Sequence, residues 1–491
     1  MTVTKRMRHP ELPFRTAAKP EGKPTGPAVI TDEGVPEPVR SAEPKLKDME
    51  GRGASAGMEE VVERLELAFQ RVASNKGAPG PDRQTIEEVR SHLPELLPKL
   101  SEALLKETYR PGDIRRVWIP KAGGGERGLG IPNVVDRMVQ EAVRQVLEPL
   151  YEPTFHASSH GFRPGRSCHT AIEEACGYLE EGYEWVVDMD LEKFFDRVNH
   201  QRLMARLAQR VKDRRILVLV GRMLKANVVM PNGVKVSTEE GVPQGGPLSP
   251  LLSNIVLDEL DTELEKRGHR FVRYADDCNV YVRSERAGQR VMASLKSFIE
   301  KRLRLKVNEK KSAVARPEER HFLGFSLRRE ALEGEVEVLL SKRSDERLAR
   351  KLVELTPRNW GGSLRACIAQ VNVYLRGWLG FFRICTGATE SRLKTADAHI
   401  RRRLRAIQMK QWRRKRTIAS RLVHLGMGRT TARQSVYAGH KSLWSLSLYP
   451  GNVGLRNAYF DERGLLPLAD TWYTLNEERL LASTGASHGT C

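Results

Sequence analysis

Two acidic segments of this sequence lie where an apolar run ends, and their carboxylates are candidates for metal-ion chemistry. The segment "VVDMDLEKFFD" contains Asp190, and the segment "FVRYADDCNV" contains Asp276 and Asp277 side by side. An unpaired buried carboxylate is costly or shifts its pKa until it is neutral, and a bound divalent cation removes both problems. Carboxylates from neighbouring strands suit a pair of Mg²⁺ ions. Two such ions can activate a 3′-hydroxyl and stabilise the leaving pyrophosphate in an in-line phosphoryl transfer.

The acid pair also has a simpler interpretation. Asp favours turns, so two adjacent acids at a hairpin corner are often a turn or capping device. Taken alone, the segment "YADD" leaves the two interpretations open. The second acidic segment, around Asp190, and the basic surplus of the chain favour metal-ion chemistry.

The chain carries a large excess of positive charge, which points to a polyanionic partner. Its 491 residues include 82 Lys and Arg against 62 Asp and Glu, a formal net charge of +20. An excess of this size fits nucleic acid or an acidic membrane surface. No apolar run approaches the roughly 20 residues that span a bilayer, and the N-terminus lacks the apolar segment of a secretory signal. We therefore expect a nucleic-acid-binding protein with no membrane partner.

The cysteine pattern indicates the cellular compartment of the protein. Six Cys residues are scattered along the chain, and none forms a C-x-x-C pair, which excludes a zinc motif and a disulfide framework. A reducing, intracellular environment fits this pattern best, and we expect a cytoplasmic protein.

The acids are positioned by segments in the order strand, helix, hairpin, helix. The segment "YEWVVDMDLEKFFDRVNH" predicts a buried strand that runs out into acids, and "EGVPQGGPLSPLLSNIVLDELDTELEKRG" predicts a Gly/Pro loop that feeds a long helix. The hairpin "RFVRYADDCNVYVRS" places Asp276 and Asp277 at its turn, and an amphipathic helix follows. This order predicts an α+β fold with a split βαβ, ferredoxin-like core.

The segments on either side of this core differ in character. Residues 1–57 are rich in Pro, Gly, Lys and Glu and predict a disordered leader, and the first helix begins at Met58. The segment "VWIPKAGGGERGLGIP" predicts two short strands joined by a flexible basic tip. After about residue 341, apolar helical patterns carry a dense basic load, which predicts a separate, mostly α-helical C-terminal domain.

Motifs in a fixed order connect these segments to a known family. After the helix at Met58 come "NKGAPGPD", "IPKAGGGERGLGIP", "SSHGFRPGRSCHTA", "VVDMDLEKFFDRVNH", "GVPQGGPLSPLLSNIVLDELD", "RYADD", "LKVNEKKS" and "HFLGFSL". In this order they resemble the fingers, palm and primer-grip motifs of a group II intron-encoded reverse transcriptase/maturase, most of all the group IIC type. The resemblance runs from about residue 58 to residue 475. Single motifs carry false positives, whereas the ordered set is highly specific.

The resemblance implies a right-hand polymerase with fingers and a ferredoxin-like palm, followed by an α-helical thumb/maturase domain. We expect the fingers and palm at residues 58–340, the thumb/maturase domain at 341–425 and a short DNA-binding-like tail at 426–491. The tail lacks the Cys pairs of the H-N-H endonuclease that many members of the family carry, so we expect no endonuclease. The leader, residues 1–57, is longer than the resemblance requires.

The resemblance also implies a metal site. Asp190, Asp276 and Asp277 match the catalytic metal ligands, and the backbone carbonyl of Leu191 is a further implied ligand. The implied cofactor is a pair of Mg²⁺ ions, although an oxygen-rich site also suits Mn²⁺. Other acids of the first segment do not match a ligand position and are expected to be strand-end or capping acids, namely Asp188 and Asp196.

A further set of residues is implied to bind the nucleotide and the primer. Phe195 lies at the family's sugar-gate position, where a ring beneath the ribose clashes with a 2′-hydroxyl and favours dNTP over NTP. The alternative interpretation is that Phe195 is an aromatic residue of the core, a role that suits Phe194 better. The other implied positions are Lys121 and Arg127 in the fingertip hairpin, Gln244 at the nascent base pair, Lys311 near phosphates, and Leu323 and Gly324 in the primer grip. For the fingertip pair, solvated charges on an exposed hairpin are the alternative.

The basic helical segment after the predicted palm is a candidate RNA surface. No acidic residue lies between Arg401 and Arg421, and mutual repulsion of the basic side chains favours an anionic partner over a merely solvated face. Burial of Leu404, Ile407 and Trp412 would turn Arg and Lys outward. By resemblance the partner is group II intron RNA, and the expected RNA-binding residues are Arg401, Arg402, Arg403, Arg405, Lys410, Arg413, Arg414, Lys415 and Arg416.

The implied function is an RNA-directed DNA polymerase that also acts as a maturase in intron splicing and in mobility by target-primed reverse transcription. The implied partners are intron RNA, an RNA template, a DNA primer or target DNA, and dNTPs. Two alternatives stay open, a splicing-only maturase and a domesticated reverse transcriptase in phage defence or DNA repair. Phe195 argues against an RNA-directed RNA polymerase. We expect the protein in the bacterial cytoplasm, and at the nucleoid when it is on DNA.

Overall fold

The computed structural model describes residues 56–120, 124–330, 335–386, 389–438 and 442–485. The chain divides into two units, residues 1–53 and 54–491, and the first unit lies outside the described residues. The predicted disordered leader, residues 1–57, therefore lies outside them except for its last two residues, and the fold is that of the second unit.

Helices and one hairpin precede the strands of the central sheet. The helices are Met58–Glu63 (α1), Leu65–Ser74 (α2), Ile86–Ser91 (α3), Leu93–Leu105 (α4), Val134–Tyr151 (α5) and Cys168–Glu180 (α6). Two strands, Ile114–Pro120 (β1) and Glu126–Ile131 (β2), pair antiparallel between α4 and α5. They form the predicted fingertip hairpin, and residues 121–123 between them lie outside the described residues.

The segment that carries the predicted active site alternates strands and helices. Its elements are Trp185–Met189 (β3), Phe194–Arg197 (α7), His200–Arg210 (α8), Arg214–Leu224 (α9), Val228–Val229 (β4), Lys235–Val236 (β5), Ser249–Lys266 (α10), Arg270–Tyr274 (β6), Asp277–Val282 (β7), Glu285–Phe298 (α11) and Ala313–Ala315 (β8). A π-helical turn, Ile299–Leu303, extends α11.

The C-terminal part begins with a hairpin and continues as helices. The hairpin strands are Phe325–Arg329 (β9) and Val336–Leu340 (β10). The helices are Lys342–Leu355 (α12), Leu364–Phe382 (α13), Thr389–Trp412 (α14), Lys415–His424 (α15), Arg429–Tyr437 (α16), Leu443–Leu446 (α17), Tyr449–Gly454 (α18), Asn457–Asp461 (α19) and Leu468–Gly485 (α20). Within the described ranges, no helix is long and apolar enough to cross a membrane.

The central sheet has the predicted ferredoxin-like topology. Its strand order is β6-β7-β3-β8, and every neighbouring pair is antiparallel. Helix α10 connects β3 to β6, and α11 connects β7 to β8, which gives the split βαβ arrangement. The predicted α+β fold class is therefore confirmed, with the hairpin β6–β7 at one side of the sheet.

Both faces of this sheet are buried, and alternate residues of each strand point to opposite sides. Val187 and Val280 face a core that is shared with the helices of the fingers. Val186, Val272 and Tyr281 face a second core, which α6 and the β9–β10 hairpin complete. Burial on both faces explains why the strand sequences are continuous apolar runs rather than alternating patterns.

A second sheet joins the fingers to the palm and was only partly predicted. Its order is β2-β1-β4-β5, because the short hairpin β4–β5 adds to β1 in parallel through the pairs Ile114↔Val228 and Arg115↔Val229. Sequence patterns predicted β1 and β2 but not β4 and β5. Strands of two residues leave no readable alternation, and their position depends on the distant strand β1.

Helix α14 is enclosed by other helices, which corrects part of the predicted RNA surface. It packs against α13, α15, α17, α18 and α20, and Leu404 and Ile407 lie in this core as expected. Arg403 and Arg405 are buried too, at 8% and 5% exposure. The prediction assumed one buried stripe along the helix, whereas residues 403–409 of α14 are all buried.

The two buried arginines bind protein groups. The Nε of Arg403 donates to the Thr356 hydroxyl at 2.6 Å, and the Nε of Arg405 donates to the Leu455 carbonyl at 2.9 Å. These bonds satisfy carbonyl and hydroxyl groups of neighbouring turns, as buried polar groups require. We therefore remove Arg403 and Arg405 from the RNA-binding set.

Candidate active site

The turn between β6 and β7 presents the predicted catalytic acids. Tyr274 and Asp277 form the last strand pair, so Ala275 and Asp276 make the turn itself. Ala275 has a φ of 56°, a left-handed conformation that costs a non-glycine residue about 1–2 kcal/mol. The predicted position of the acid pair at a hairpin corner agrees with this geometry, and the local strain indicates that surrounding contacts impose it.

Strand β3 brings the third acid to the same place. Met189 pairs with Cys278, and one further step in this register sets Asp190 beside Asp277. The backbone of Asp190 is held on both sides, because its N–H donates to the Ser312 hydroxyl at 3.0 Å and its carbonyl accepts from the Asn308 N–H at 2.8 Å. The position of Asp190 is thus fixed by main-chain bonds, and its side chain is left for other partners.

The carboxylates at this sheet edge repel one another. Desolvation by the surrounding protein, and then repulsion from Asp190, raises the pKa of Asp276. Asp277 reaches solvent, yet desolvation raises its pKa to about 7, and repulsion from neighbouring carboxylates, Asp276 first, adds to this. A cation bound among these groups would relieve both effects.

Asp188 differs from these acids. Its carboxylate accepts from Arg320 Nη2 at 2.6 Å and from Arg320 Nε at 2.8 Å. Burial raises the pKa of Asp188 in spite of that pair. This ion pair agrees with its prediction as a structural acid.

The carboxylate oxygens at the site are of the type that binds a hard divalent cation, although in this structure they do not surround a single point. Among the described residues, no three His, Cys, Asp or Glu side chains stand together at metal-ligand spacing. The ammonium of Lys311 lies 3.2 Å from Asp190 Oδ2 and supplies a positive charge there. Carboxylate oxygens suit Mg²⁺ and related ions, so a cation would take the place of this ammonium. Leu191 is buried and bridges to Val307 in the main chain.

A cavity of ≈ 740 Å³ between fingers and palm brings together three residues predicted to bind the nucleotide. Arg127, Phe195 and Gln244 all line it. The Arg127 charge is near enough to Asp276 to offset part of the rise in the pKa of that carboxyl. Phe194, next to Phe195, is buried in the core as expected. Lys121 lies outside the described residues.

The loop around Gln244 is held against the fingertip hairpin. The Gln244 carbonyl accepts from the Gly130 N–H at 2.6 Å. Gly245 has a φ of 123°, and a Cβ there would lie 2.5 Å from the Gly130 carbonyl oxygen. Only glycine fits this approach of two backbones.

The predicted primer-grip residues form a tight turn rather than a strand. Phe322 and Phe325 exchange both main-chain hydrogen bonds at 2.9 Å, and Leu323 and Gly324 between them have φ values of 52° and 102°. The Gly324 carbonyl accepts from the Ser344 hydroxyl of α12 at 2.8 Å. The turn therefore joins the palm to the first C-terminal helix.

The remaining predicted RNA-binding residues lie around the junction of α14 and α15. Arg413 breaks the helix with a φ of 61°. Arg401, Arg402 and Lys415 are half-buried, and the Lys415 ammonium lies 5.9 Å from the centre of the Tyr437 ring. Exposed side chains of this set are Lys410, Arg413, Arg414 and Arg416.

Sequence reasoning missed the residue that holds the catalytic turn. Arg273 and Asp261 are both fully buried, and two hydrogen bonds of 2.7 and 2.5 Å join them. The Arg273 guanidinium also donates to the Ala275 carbonyl at 2.9 Å, the Asn254 amide oxygen at 3.0 Å and the Ser159 hydroxyl at 2.6 Å. One side chain thus connects β6, α10, the loop before α6 and the turn that carries Asp276.

A signal for this role was present in the sequence. Arg273 directly follows two apolar residues in a predicted strand, and a buried charge needs a partner. Asp261 lies among other acidic residues of α10, so nothing in the sequence singles it out or pairs it with Arg273 across 12 positions. The pairing depends on the tertiary fold.

Comparison with known proteins now identifies the family. The reverse transcriptase (RNA-dependent DNA polymerase) family matches residues 119–327, and the group II intron maturase-specific domain matches residues 346–424. Protein YkfC of Escherichia coli K12 is 32% identical over 354 residues, which cover 63% of this chain and 90% of YkfC. The chain belongs to the group II intron-encoded reverse transcriptases. The predicted family is confirmed.

Other relatives agree with this assignment over shorter regions. The group II intron-encoded protein LtrA of Lactococcus lactis subsp. cremoris is 30% identical over 329 residues, 53% of this chain and 54% of LtrA. The chain thus matches about half the length of LtrA. A solved Cas6-RT-Cas1–Cas2 complex is similar over 50% of this chain and 42% of its own, at 23% identity and a TM-score of 0.32, and adds nothing to the assignment.

At the level of the family, the predicted function is confirmed as an RNA-directed DNA polymerase joined to an intron maturase domain. Reverse transcriptases depend on a divalent metal ion, and the two domains imply nucleic-acid substrates that include intron RNA. The group IIC type stays a prediction.

The Arg273 contacts lead to a prediction about stability and activity. Arg273→Met leaves Asp261 buried and unpaired, which we expect to lower the free energy of unfolding by about 3–5 kcal/mol. Arg273→Met combined with Asp261→Leu removes the unpaired charge and should regain most of that loss. Primer extension should stay low in the double variant, because the Ala275 carbonyl and Ser159 still lack their donor. Urea unfolding measures the stability, and primer extension measures the activity. If the double variant recovers both, the role of Arg273 is only to neutralise Asp261.

Proposed function

We propose that this chain is an active reverse transcriptase of the group IIC type that also serves as the maturase of its intron. The observation that carries the proposal is the meeting of Asp190 with Asp276 and Asp277 at the ends of adjacent strands, beside a cavity lined by Phe195 and Gln244. A polymerase needs this combination of acids and a nucleotide-sized cavity at one place.

Asp190, Asp276 and Asp277, with the Leu191 carbonyl, are the proposed ligands of two Mg²⁺ ions. When bound, such ions lower the barrier for attack by the primer 3′-hydroxyl and neutralise charge on the leaving pyrophosphate. Support comes from the all-oxygen donor set and from the pKa of Asp277, which desolvation and then repulsion by neighbouring carboxylates raise to about 7. Lys311, now paired with Asp190, becomes free to bind a phosphate.

The residues of the cavity orient the incoming nucleotide. Arg127 is proposed to bind the triphosphate, because a guanidinium can contact phosphate oxygens through two donors. Phe195 lies beneath the ribose and excludes a 2′-hydroxyl, while Gln244 contacts the nascent base pair. Lys121 and the primer-grip pair Leu323 and Gly324 complete the proposed set. Their common support is the order of the motifs that carry them.

The C-terminal part is proposed to bind intron RNA and target DNA. We assign residues 58–340 to fingers and palm, 341–425 to the thumb/maturase domain and 426–491 to a DNA-binding tail, and the two family matches fall within the first two ranges. The proposed RNA surface consists of Arg401, Arg402, Lys410, Arg413, Arg414, Lys415 and Arg416. Such a protein stabilises the folded intron RNA for splicing and copies it by target-primed reverse transcription, in the cytoplasm and at the nucleoid.

Primer extension on an RNA template with dNTPs and Mg²⁺ tests the polymerase. We expect Asp190→Asn and Asp276→Asn to reduce extension at least about 1000-fold, because an amide binds a hard cation poorly, while RNA affinity stays unchanged. Asp196→Asn, in the same segment as Asp190, is the matched control and should stay active. A wild-type protein that binds intron RNA but extends no primer would instead support a splicing-only maturase.

Phe195→Ala should open the cavity to ribonucleotides. Removal of the ring takes away the clash with the 2′-hydroxyl, so the dNTP over rNTP ratio of kcat/KM should fall by about 10- to 100-fold. Phe195→Tyr keeps the ring and should keep the selectivity. Single-nucleotide incorporation with each substrate gives the ratio. Unchanged selectivity in the alanine variant would assign the exclusion to another group.

The exposed arginines at the junction of α14 and α15 should determine the salt dependence of RNA binding. We expect the triple change of Arg413, Arg414 and Arg416 to Gln to weaken binding to a labelled group II intron RNA. Each lost phosphate contact should reduce the slope of log K against log salt by about 0.7–0.9. The control changes three exposed arginines of the palm, Arg283, Arg286 and Arg290, to Gln. An equal loss in the control would indicate a general charge effect.

A further inference from the structure

The loop before α6 is held by buried side chains on both sides of residues 161 and 162. His160 is buried and lies between Thr170 and Glu174, with ring nitrogen to oxygen distances of 2.8 and 2.6 Å. Arg163 is buried as well, and its Nη1 donates to the Ser159 carbonyl at 2.7 Å. The flanks of residues 161 and 162 are therefore fixed by side-chain contacts.

This loop touches the catalytic turn directly. Ser159 bridges to Arg273, and the His160 N–H donates to the Arg273 carbonyl at 2.8 Å. A Cβ on Gly161 would lie 2.3 Å from the Ala275 nitrogen, so only glycine fits against the turn. The position of the next residue is thereby set relative to Asp276.

Phe162 is the residue that this arrangement presents. It has a φ of 60°, which is strained for a bulky aromatic residue, and 50% of its side chain is exposed. An exposed ring in a strained conformation adds nothing to a core. Such strain persists where the surroundings impose it, and it is typical of functional positions.

The Phe162 ring faces the place where a primer must end. It lines the same cavity as Phe195 and Gln244, and its centre lies 6.4 Å from that of the Tyr274 ring. Tyr274 directly precedes the catalytic turn. If the proposed function is correct, the primer 3′-hydroxyl reacts beside Asp276, so the last base pair of the duplex lies over Tyr274 and Phe162.

We propose that Phe162 packs against the template nucleotide of the terminal base pair and so holds the primer–template duplex in register. The assignment rests on the proposed polymerase function. The fingers residues Asn75 and Ala78 line the same cavity, so a nucleotide packed on Phe162 would also lie beside the fingers. A phenyl ring suits this role because contact with the faces or edges of bases tolerates any sequence.

The test separates contact with the duplex from a structural role. Phe162→Gly removes the ring and relieves the strain, so the melting temperature should stay the same or rise. Binding of a recessed DNA primer on an RNA template should weaken by about 5- to 150-fold, the range found when an aromatic side chain that stacks on a base is truncated. Phe162→Tyr keeps the ring and should retain binding. Glu107→Gly is the matched control, because Glu107 has a φ of 56° and lies outside the cavity.

A 2-aminopurine as the template base of the terminal pair gives a direct signal. Its fluorescence should rise in Phe162→Gly relative to wild type and Phe162→Tyr, because the base loses its packing partner. A lower melting temperature with unchanged duplex binding would show a structural role and overturn the proposal. If Phe162→Gly extends primers as well as the wild type does, this inference alone is overturned. If the wild type neither binds nor extends the duplex, the polymerase function is overturned as well.

Discussion

The buried pair of Arg273 and Asp261 is the interaction on which the active site depends. A charge enclosed in a protein interior is tolerated only when it is paired and fully hydrogen-bonded, and Arg273 meets that condition by donating to three other segments, α10, the turn and the loop before α6. Each segment is thereby fixed relative to the turn of Asp276. The positions of the Ser159 loop and of α10 relative to the turn therefore follow from a single guanidinium.

Unlike the ion pair of Arg273 and Asp261, the carboxylates at the turn repel one another, and yet the fold holds them together. Strand pairing fixes Asp190 beside Asp277, and the hydrogen bonds of its backbone leave it no freedom to withdraw. Lys311 and Arg127 offset only part of the repulsion. The cores on the two faces of the sheet stabilise the fold enough to permit this local repulsion, which a bound cation would remove.

Sequence patterns were sufficient for β3, α10, the β6–β7 hairpin and α11, because a buried apolar run, a Gly/Pro loop and a hairpin turn are local signals. They also found Asp190 and Asp276, whose charge contradicts the pattern around them. They failed for Arg403 and Arg405, since this stretch of α14 is buried on every residue from 403 to 409, and for the β4–β5 hairpin, whose strands are too short to show a period. The Arg273 contacts and the exposed ring of Phe162 arise from packing between segments that are distant in sequence.

The helical C-terminal part is packed onto the palm rather than tethered to it. The Phe325 ring of β9 lies 5.5 Å from that of Phe381 on α13, and the Thr386 N–H donates to the Val338 carbonyl at 2.9 Å. His169 of α6 reaches the Phe381 carbonyl at 2.7 Å from the other side. Because these contacts link α13 with the strands and helix that cover the central sheet, they fix the C-terminal helices relative to Asp190 and Asp276. If those helices bind intron RNA as proposed, one packed interface serves both activities, since the surface that binds the intron also fixes where the nucleic acid approaches the polymerase site.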